Sequence, residues 1–486
     1  MSRHSTNPWV VLVIICLAQF MVVLDATIVN VALPHIQSAL GFSEASLQWV
    51  INAYTLVFAG FLLLGGRAGD LLGRKRLFLI GLVIFTAASF LNGISSTSGM
   101  LIGFRALQGL GAALISPAAL SIISTTFDER KERARALAVW AAIAIGGSAV
   151  GLVLGGALTQ AFSWRWIFFV NVPVGIFAFF AALRLVPESK DEHAHKGYDL
   201  AGAVTVTGGL MLLVYGLVNS AQHGWGSTVS IVSFVAAAAL LVGFVLIEQR
   251  SAEPLVRLSI FRVRSLTTAN LSMFLAFSGM FAMFFFNTQY IQRALGFGPL
   301  KAGVAFLPFT AGIMISAGLA SALAPRIGVR PVTAAGMVLT ILGLILFARM
   351  PVNGSYASDV LPGMILASLG MGAIFMPLTL VATTGLKNED QGLASGLFNT
   401  SQQVGGALGL AVLSTIAVNH TNSAALANPL DPASLPSIVH GWQWAFGGAA
   451  VLVTLSLIVF VALLRKRDVA RIEAEARTDD QPVFAS

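Results

Sequence analysis

Two ionisable residues lie in stretches that are otherwise apolar, and their types make them the first candidates for chemistry. Asp25 stands in LDATIVNVALP, residues 24–34, and Arg105 stands in LIGFRALQGLGAA, residues 101–113. A charged side chain at the centre of a membrane-spanning helix costs about 2.5–3.5 kcal/mol, and such residues usually serve a function. Because low-dielectric surroundings favour the neutral form of a carboxyl group, Asp25 is predicted to bind and release a proton.

The acid and the base lie at similar depths in their predicted helices. At 1.5 Å per residue, Arg105 is about 6 Å from Leu101 and Asp25 is about 12 Å from Leu33, the helix ends on the same side. Direct or water-bridged coupling between them is therefore expected. Two alternatives stay open: Asp25 can pin a neighbouring helix through a hydrogen bond, and Arg105 can extend its guanidinium to the membrane surface.

The composition indicates an all-α, polytopic membrane protein. Of the 486 residues, 56% are hydrophobic and 10% are charged, whereas a soluble domain has about 25% charged residues. Apolar segments of about 20 residues, the length that crosses a bilayer, recur along the chain. The single cysteine, Cys16, and the lack of Cys/His ligand spacing argue against an internal disulfide and against a metal site.

The charge of the chain is explained by its loops. The net charge of +8 comes from basic residues between the apolar segments, so membrane topology rather than nucleic-acid binding accounts for it. Glycine-rich pieces such as GAALISP follow no strand and lack the Walker lysine. No cofactor is therefore expected, and an ion gradient is the expected source of energy.

Hydropathy predicts fourteen membrane spans, numbered here in chain order. They cover approximately residues 9–33, 47–64, 77–95, 101–124, 136–159, 166–186, 199–219, 228–248, 267–291, 302–322, 332–348, 360–382, 393–418 and 442–464. With a cytoplasmic N-terminus, the cytoplasmic segments hold 24 of the 29 Lys and Arg residues and the outer loops hold four. This asymmetry predicts that both termini are cytoplasmic and that the number of spans is even.

Short matches at an offset of eight spans indicate two related six-helix bundles, as in transporters with parallel repeats. The loop GGRAGDLLGRKRL after span 2 aligns with SALAPRIGVRPV after span 10 when Gly73 is placed on Gly328. Gly147 and Gly151 of span 5 have the same spacing as Gly405 and Gly409 of span 13. The predicted parts are an N-terminal bundle at 9–187, a linker with two extra helices at 188–265, a C-terminal bundle at 266–464 and a cytoplasmic tail at 465–486.

Two glycine-containing motifs are predicted to act in packing and conformational change. The motif after span 2 contains Gly66, Asp70, Gly73, Arg74 and Lys75. Its glycines permit a tight turn, its acid can meet a base or a helix N-terminus, and its basic residues also serve as a topology signal. The motif of span 5 would let that helix press against a helix of the other bundle, with ordinary membrane packing as the alternative. Its residues are Gly147, Gly151, Gly155 and Gly156.

Four stretches resemble the major facilitator superfamily, in particular its fourteen-helix drug:proton antiporter branch, the EmrB/QacA-like exporters. They are LDATIVNVALP, GRAGDLLGRKR, LIGFRALQGLGAA and WRWIFFVNVP. The resemblance implies two six-helix bundles plus two inserted helices, proton coupling through Asp25 and Arg105, and a conformational latch in the loop motif. One position departs from the pattern: Leu152 stands where the antiporter motif of span 5 has proline, which puts the expected helix bend in doubt.

Further polar side chains are candidates for lining a substrate cavity, although some of them will serve only as hydrogen bonds between helices. They are Gln19, Asn30, Gln108, Asn287, Gln289 and Gln402. The function predicted is a proton-driven exporter of hydrophobic or cationic small molecules, not an enzyme, that works as a monomer among membrane lipids in the cytoplasmic membrane. Two alternatives stay open: a dedicated exporter of one endogenous metabolite (an amino acid, siderophore, antibiotic or lipid) and a non-transporting membrane sensor. The need for an adaptor partner is left undecided.

Overall fold

The computed structural model describes residues 7–127, 129–189, 199–251, 254–383, 386, 388–427 and 434–464. Its α-helices are α1 Pro8–Leu40, α2 Trp49–Leu72, α3 Arg74–Gly93, α4 Ser98–Thr126, α5 Arg130–Ala161, α6 Trp166–Phe169, α7 Asn171–Leu185, α8 Leu200–His223, α9 Thr228–Arg250, α10 Arg264–Gln289, α11 Pro299–Ala305, α12 Leu307–Ile327, α13 Val329–Phe347, α14 Leu361–Thr383, α15 Asn388–Ala427 and α16 Leu435–Leu463. The tail at 465–486 lies outside the described residues, as do 190–198 of the predicted linker.

The described part of the chain has 14 helical segments long and apolar enough to cross a membrane. The prediction of a fourteen-span, all-α membrane protein is therefore confirmed. Span 6 combines α6 with α7, and span 10 combines α11 with α12. Several helices run beyond the apolar runs that predicted them, because polar residues continue the helical hydrogen bonding outside the hydrocarbon. For example, α1 continues past Leu33 to Leu40 and stops at Gly41, whose φ is 66°.

The helices form two compact units, each described by itself. Unit 1 comprises Met1–Leu255 and Gly296–Phe306, and unit 2 comprises Val256–Leu295 and Leu307–Ser486. Corresponding helices pair in the same way in the two units. In unit 1, α5 packs on α1 while α2 and α3 pack on α4; in unit 2, α15 packs on α10 while α12 and α13 pack on α14. These pairings match at the offset of eight spans that the glycine motifs indicated.

The pair of extra helices belongs with unit 1 by its contacts. α8 packs along α9 and also against α2. The approach to α2 is close: Gly60 faces Thr207 with no room for a side chain.

The turns that precede α3 and α13 correspond in the two units, since Gly73 has φ 104° and Gly328 has φ 95°. Only glycine adopts such a conformation without strain, so both turns depend on the residue type.

Candidate functional site: a buried ion pair in unit 1

The site is centred on an ion pair between α1 and α4. Nη1 of Arg105 donates to Oδ2 of Asp25 at 2.5 Å, and both residues are fully buried, with 0% relative exposure. Removing Arg105 would leave Asp25 as a buried charge without its counter-ion, which typically costs about 3–5 kcal/mol. The guanidinium of Arg105 therefore stays inside the unit and does not extend to the membrane surface.

Amide side chains from two further positions complete the shell of the carboxylate. Oδ1 of Asp25 accepts from Nε2 of Gln108 at 2.8 Å and from Nδ2 of Asn171 at 3.0 Å. Gln108 follows Arg105 by three residues on α4, so both side chains lie on one face of that helix. Asn171 is the first residue of α7. A single carboxylate thus connects α1, α4 and α7.

α3 joins the network through Gln108. Nε2 of Gln108 also donates to Oγ of Ser89 at 2.7 Å, and Nδ2 of Asn92 donates to Oε1 of Gln108 at 2.8 Å. Ser89 and Asn92 are fully buried and lie three residues apart on one face of α3. Because buried hydrogen bonds polarise one another, a change in the charge of Asp25 changes the strength of the other hydrogen bonds in this network.

The guanidinium of Arg105 has partners besides Asp25. Its Nε donates to the carbonyl oxygen of Val50 at 3.0 Å, and its Nη1 also donates to Oε1 of Gln108 at 2.8 Å. Its central carbon lies 4.4 Å from the ring centroid of Tyr54 and 5.8 Å from that of Phe168. Cation–π contact stabilises a desolvated guanidinium. Arg105 therefore remains partly compensated even when Asp25 is neutral.

The loop motif forms a joint between the start of α3 and the end of α7. Glu188 accepts from the backbone nitrogens of Lys75 at 3.1 Å and Arg76 at 3.2 Å, where a carboxylate also stabilises the helix dipole. In return, Nζ of Lys75 donates to the carbonyl oxygen of Leu183 at 2.9 Å. The acid that binds the N-terminus of α3 is thus Glu188, which the sequence reasoning missed.

Other members of the loop motif contribute backbone contacts. The backbone nitrogen of Arg74 donates to the carbonyl oxygen of Ser189 at 3.0 Å. Gly66 lies beside α4, where a Cβ would be 3.6 Å from Cβ of Pro117. The side chain of Asp70 lies outside the described part, so its predicted role as a latch stays a prediction.

Three glycines of α5 pack on α1 within unit 1. A Cβ on Gly147 would lie 3.3 Å from Phe20, and one on Gly155 would lie 2.7 Å from the carbonyl oxygen of Ile28. Gly151 faces Thr27 and Leu24, also on α1. The spacing therefore predicted a packing face of α5, and α1 is the helix opposite these three glycines.

Only the last glycine of the motif faces another segment. A Cβ on Gly156 would lie 2.7 Å from Cα of Leu300 in α11. α11 opens span 10, which the sequence assigned to the C-terminal bundle at 266–464, and its contacts group it with unit 1. The predicted contact of span 5 with the other bundle stays a prediction. Leu152, at the position of the expected proline, is 2% exposed and continues α5 as regular helix. Gly303 of α11 approaches the carbonyl of Leu152, so this part of α5 is a tight packing surface.

The cavity candidates of unit 1 have partners inside the unit. Gln19 accepts from Oγ of Ser116 at 3.2 Å. Asn30 donates to two carbonyl oxygens of its own helix at 3.2 Å. Gln108 belongs to the ion-pair network and is 0% exposed. A role for these three in binding substrate is not required to explain their hydrogen bonds.

The candidates of unit 2 differ. Asn287 and Gln289 are each 0% exposed, yet none of their four amide atoms has a hydrogen-bond partner among the described residues. A buried amide without a partner typically costs 1–3 kcal/mol, so these two side chains call for a functional explanation. Gln402 of α15 is partly exposed.

Sequence reasoning identified the acid and the base but missed most of their shell. Ser89, Asn92, Tyr54 and Asn171 were not singled out as site residues. A signal existed for Asn171, because it is the one polar side chain in FFVNVP, within a stretch that carried the family resemblance. Ser89 and Asn92 show the helical spacing of a polar face, but such pairs also occur as ordinary hydrogen bonds between helices.

With this geometry established, comparison with known proteins defines the class of the protein. The model of the Major Facilitator Superfamily matches residues 15–410. The chain therefore belongs to this superfamily of membrane transporters, and the resemblance seen in the four stretches is confirmed.

Particular relatives extend over almost the whole chain. It is 38% identical over 469 residues to the puromycin resistance protein Pur8 of Streptomyces alboniger, covering 96% of this chain and 93% of the relative. It is 40% identical over 467 residues to the cephamycin export protein CmcT of Amycolatopsis lactamdurans, covering 95% of this chain and 93% of the relative. Similarity to the lincomycin resistance protein of Streptomyces lincolnensis is 35% identity over 416 residues, 85% of each chain.

Solved structures share the fold at low sequence identity. A peptide transporter POT bound to sulfate superposes with a TM-score of 0.68 at 14% identity, covering 94% of this chain and 95% of that one. The POT family transporter PepTSo gives a TM-score of 0.67 at 17% identity, covering 98% of both chains. These structures support the fold alone.

Proposed function

We propose that this protein exports antibiotic-like small molecules in exchange for protons, with Asp25 as the proton-binding group. The observation that carries the proposal is the fully buried Asp25–Arg105 pair and its amide shell. The relatives are named for resistance to puromycin and export of cephamycin, which favours export over uptake. The proton gradient is the energy source, and no cofactor takes part.

The exchange follows from what a proton does to the network. When Asp25 is ionised, it attracts Arg105 and accepts hydrogen bonds from Gln108 and Asn171, which holds α1, α4 and α7 together. Protonation removes the charge attraction and one lone pair. Arg105 keeps the carbonyl of Val50 and the ring of Tyr54, so the pair can separate without stranding its cation. The loosened helices then rearrange as the protein alternates its access to the two sides of the membrane.

Substrate recognition is assigned to neutral groups. The substrate is hydrophobic or cationic, and the unpartnered amides of Asn287 and Gln289 supply its polar contacts. The protein acts as a monomer in the cytoplasmic membrane. Both termini are cytoplasmic, because that orientation places 24 of the 29 basic residues inside.

The test is substrate-driven proton movement in inside-out membrane vesicles with an acidified lumen. Adding puromycin or a cephamycin should dissipate the pH gradient in vesicles that contain the wild-type protein. Asp25→Asn should lower this response to that of vesicles without the protein, while the purified variant still binds the drug. Drug-driven proton release by Asp25→Asn at the wild-type rate would contradict the assignment.

Asp199 provides a matched control for burial of an acid. It is 5% exposed and caps α8 by accepting from the backbone nitrogen of Gly202 at 2.6 Å. Asparagine caps helices as well as aspartate does. Asp199→Asn should therefore keep the wild-type response, which separates proton coupling from the mere presence of a buried carboxylate.

A second candidate is a dedicated exporter of one endogenous compound. The observation in its favour is that two relatives are named as export proteins for single compounds, cephamycin and tetracenomycin C. Growth of cells that express the protein on a panel of unrelated antibiotics separates the two. Protection against several chemical classes supports the multidrug exporter, and protection against one class supports the dedicated exporter.

A further inference from the structure

An apolar groove runs between α3 and α7 on the outside of unit 1. It encloses about 340 Å³. Its lining includes Val83, Ala87 and Phe90 from α3 and Val172, Ile176 and Phe180 from α7. The rims are open to the surroundings, since Val83 is 52% exposed and Phe180 is 53% exposed.

The depth of the groove depends on a missing side chain. Gly175 lies on α7 opposite Thr86 of α3, and a Cβ there would overlap the Thr86 hydroxyl. α3 and the segment formed by α6 and α7 are each long and apolar enough to cross a membrane. A groove of this kind suits hydrocarbon, because its lining is apolar except for Thr86, whose hydroxyl is buried beside Gly175.

Two arginines lie on the same helix faces as the residues that line the groove, one on α3 and one on α7. Arg76 precedes Val83 by seven residues and Ala87 by eleven, so it lies on the same face of α3. Arg184 follows Phe180 by four residues and Ile176 by eight, which places it on the same face of α7. Both side chains are exposed, and no ion pair involves either of them within the described residues.

The two arginines lie at the same end of the groove. The bond from Nζ of Lys75 to the carbonyl oxygen of Leu183 holds the start of α3 beside the end of α7. At 1.5 Å per residue, Arg76 is about 10 Å along the axis from Val83, and Arg184 is about 6 Å from Phe180. The nearby acid, Glu188, already accepts two backbone N–H groups.

We propose that this groove is a binding site for an anionic glycerophospholipid. One acyl chain lies between α3 and α7, and the phosphate lies between Arg76 and Arg184. The spacing suits such a molecule, because the charged end stands one to two helical turns beyond the apolar channel. A zwitterionic lipid would fill the groove equally well but would gain less from two guanidinium groups that form no ion pair within the described residues.

The experiment measures lipid binding to the whole purified protein by native mass spectrometry. Phosphatidylglycerol and phosphatidylcholine with the same acyl chains are titrated separately into the detergent-solubilised chain. One variant, Arg76→Gln/Arg184→Gln, removes the positive end, and a second, Val83→Trp, fills the channel. Their controls are Arg326→Gln and Val235→Trp, at exposed positions of α12 and α9.

The wild-type protein should bind phosphatidylglycerol more tightly than phosphatidylcholine. Each basic residue near an anionic headgroup contributes about a fivefold factor in affinity, so the double variant should weaken phosphatidylglycerol binding roughly 25-fold. Its phosphatidylcholine binding should be unchanged. Val83→Trp should remove one bound molecule of either lipid, and neither control should change binding.

Several results would overturn the proposal. Equal affinity of the wild-type protein for the two lipids would exclude a site for an anionic headgroup. Unchanged phosphatidylglycerol binding in the double variant, or an equal loss in Arg326→Gln, would reduce the effect to unspecific attraction by surface charge. A two-chain species that Val83→Trp abolishes would instead identify the groove as a contact between copies of this chain.

Discussion

The helix pairs α1–α5 in unit 1 and α10–α15 in unit 2 are packed alike. In each pair, glycines of the later helix lie against the backbone of the earlier one. At the aligned positions Gly151 and Gly409, a Cβ on Gly151 would lie 3.1 Å from the carbonyl oxygen of Leu24, and a Cβ on Gly409 would overlap the backbone of Ser278. The backbone architecture of the two units therefore corresponds at this contact.

The polar groups on the two earlier helices differ in kind. α1 carries Asp25 in a fully buried ion pair. α10 carries Asn270, Ser278, Asn287 and Gln289, and all buried polar residues described in unit 2 are neutral. Among those four, Asn270 and Ser278 form hydrogen bonds to α15, whereas the two amides near the end of α10 have no partners in the described part.

This difference indicates a division of work between two similar scaffolds. A group that gains or loses charge changes the interaction energy of its surroundings far more than a neutral group does. Proton exchange accordingly belongs to unit 1 under the proposed function. Neutral amides suit recognition of varied uncharged or weakly basic molecules, because they donate and accept without requiring a counter-charge.

The largest expected effect concerns the stability of the ion pair. Arg105→Gln should lower the free energy of unfolding by about 3–5 kcal/mol, because it leaves Asp25 as a buried charge. Asp25→Asn/Arg105→Gln should lose less than the sum of the two single variants, since no charge remains unpaired. Thermal unfolding in detergent at neutral pH measures all three. Additive losses would mean that the pair does not stabilise unit 1 as a pair.

The next effect tests the turns that open α3 and α13. Alanine at either Gly73 or Gly328 must adopt a positive φ, which costs about 1–3 kcal/mol. Gly73→Ala should lose about 3 kcal/mol, the upper end of that range, because its Cβ would lie 2.7 Å from Oε1 of Glu188 and displace the cap of α3. Gly328→Ala should lose less. Equal losses in thermal unfolding would show that Glu188 adds nothing to the turn of unit 1.

The third effect tests whether the two glycine contacts are equivalent. Gly151→Ala and Gly409→Ala, at aligned positions, should each cost about 2 kcal/mol, since the added methyl group forces the paired helices apart. Gly103→Ala is the control, because no atom lies within 4 Å of its Cβ position. It should leave stability unchanged or raise it by up to about 1 kcal/mol through helix propensity. A loss at only one of the paired sites would break the correspondence of the units.

How far these features follow from sequence alone depends on distance along the chain. The fourteen spans follow from the length of apolar runs, and Asp25 and Arg105 follow from their contrast with those runs. Their shell does not, because Ser89 and Asn171 come from helices whose neighbours are set by tertiary packing. Glu188 was missed for the same reason: it is more than a hundred residues from the Lys75 nitrogen that it caps. Glycine spacing predicted a packing face on α5, but that α1 lies opposite three of its glycines is known only from the tertiary structure.

The last and smallest effect compares partnered and unpartnered amides on α10. Oδ1 of Asn270 accepts from Oγ of Ser401 at 2.8 Å, so Asn270→Leu should cost about 1–2 kcal/mol of stability by stranding that hydroxyl. Asn287→Leu and Gln289→Leu remove amides that have no partners to lose among the described residues, and the stability of these variants should stay equal or rise.

The same variants separate recognition from proton coupling. If the free amides bind substrate, Asn287→Leu or Gln289→Leu should raise the KM for drug transport about tenfold, a loss of about 1.4 kcal/mol of binding. The number of protons moved per drug molecule should not change, since Asp25 and its shell are intact. Vesicle transport assays over a range of drug concentrations give both quantities. An unchanged KM in both variants would contradict the assignment of recognition to unit 2, whereas a changed proton count would contradict the separation of the two tasks. The described buried residues of unit 2 carry no charge. The KM therefore tests the substrate site itself, whereas the proton count tests whether unit 2 is separate from proton exchange.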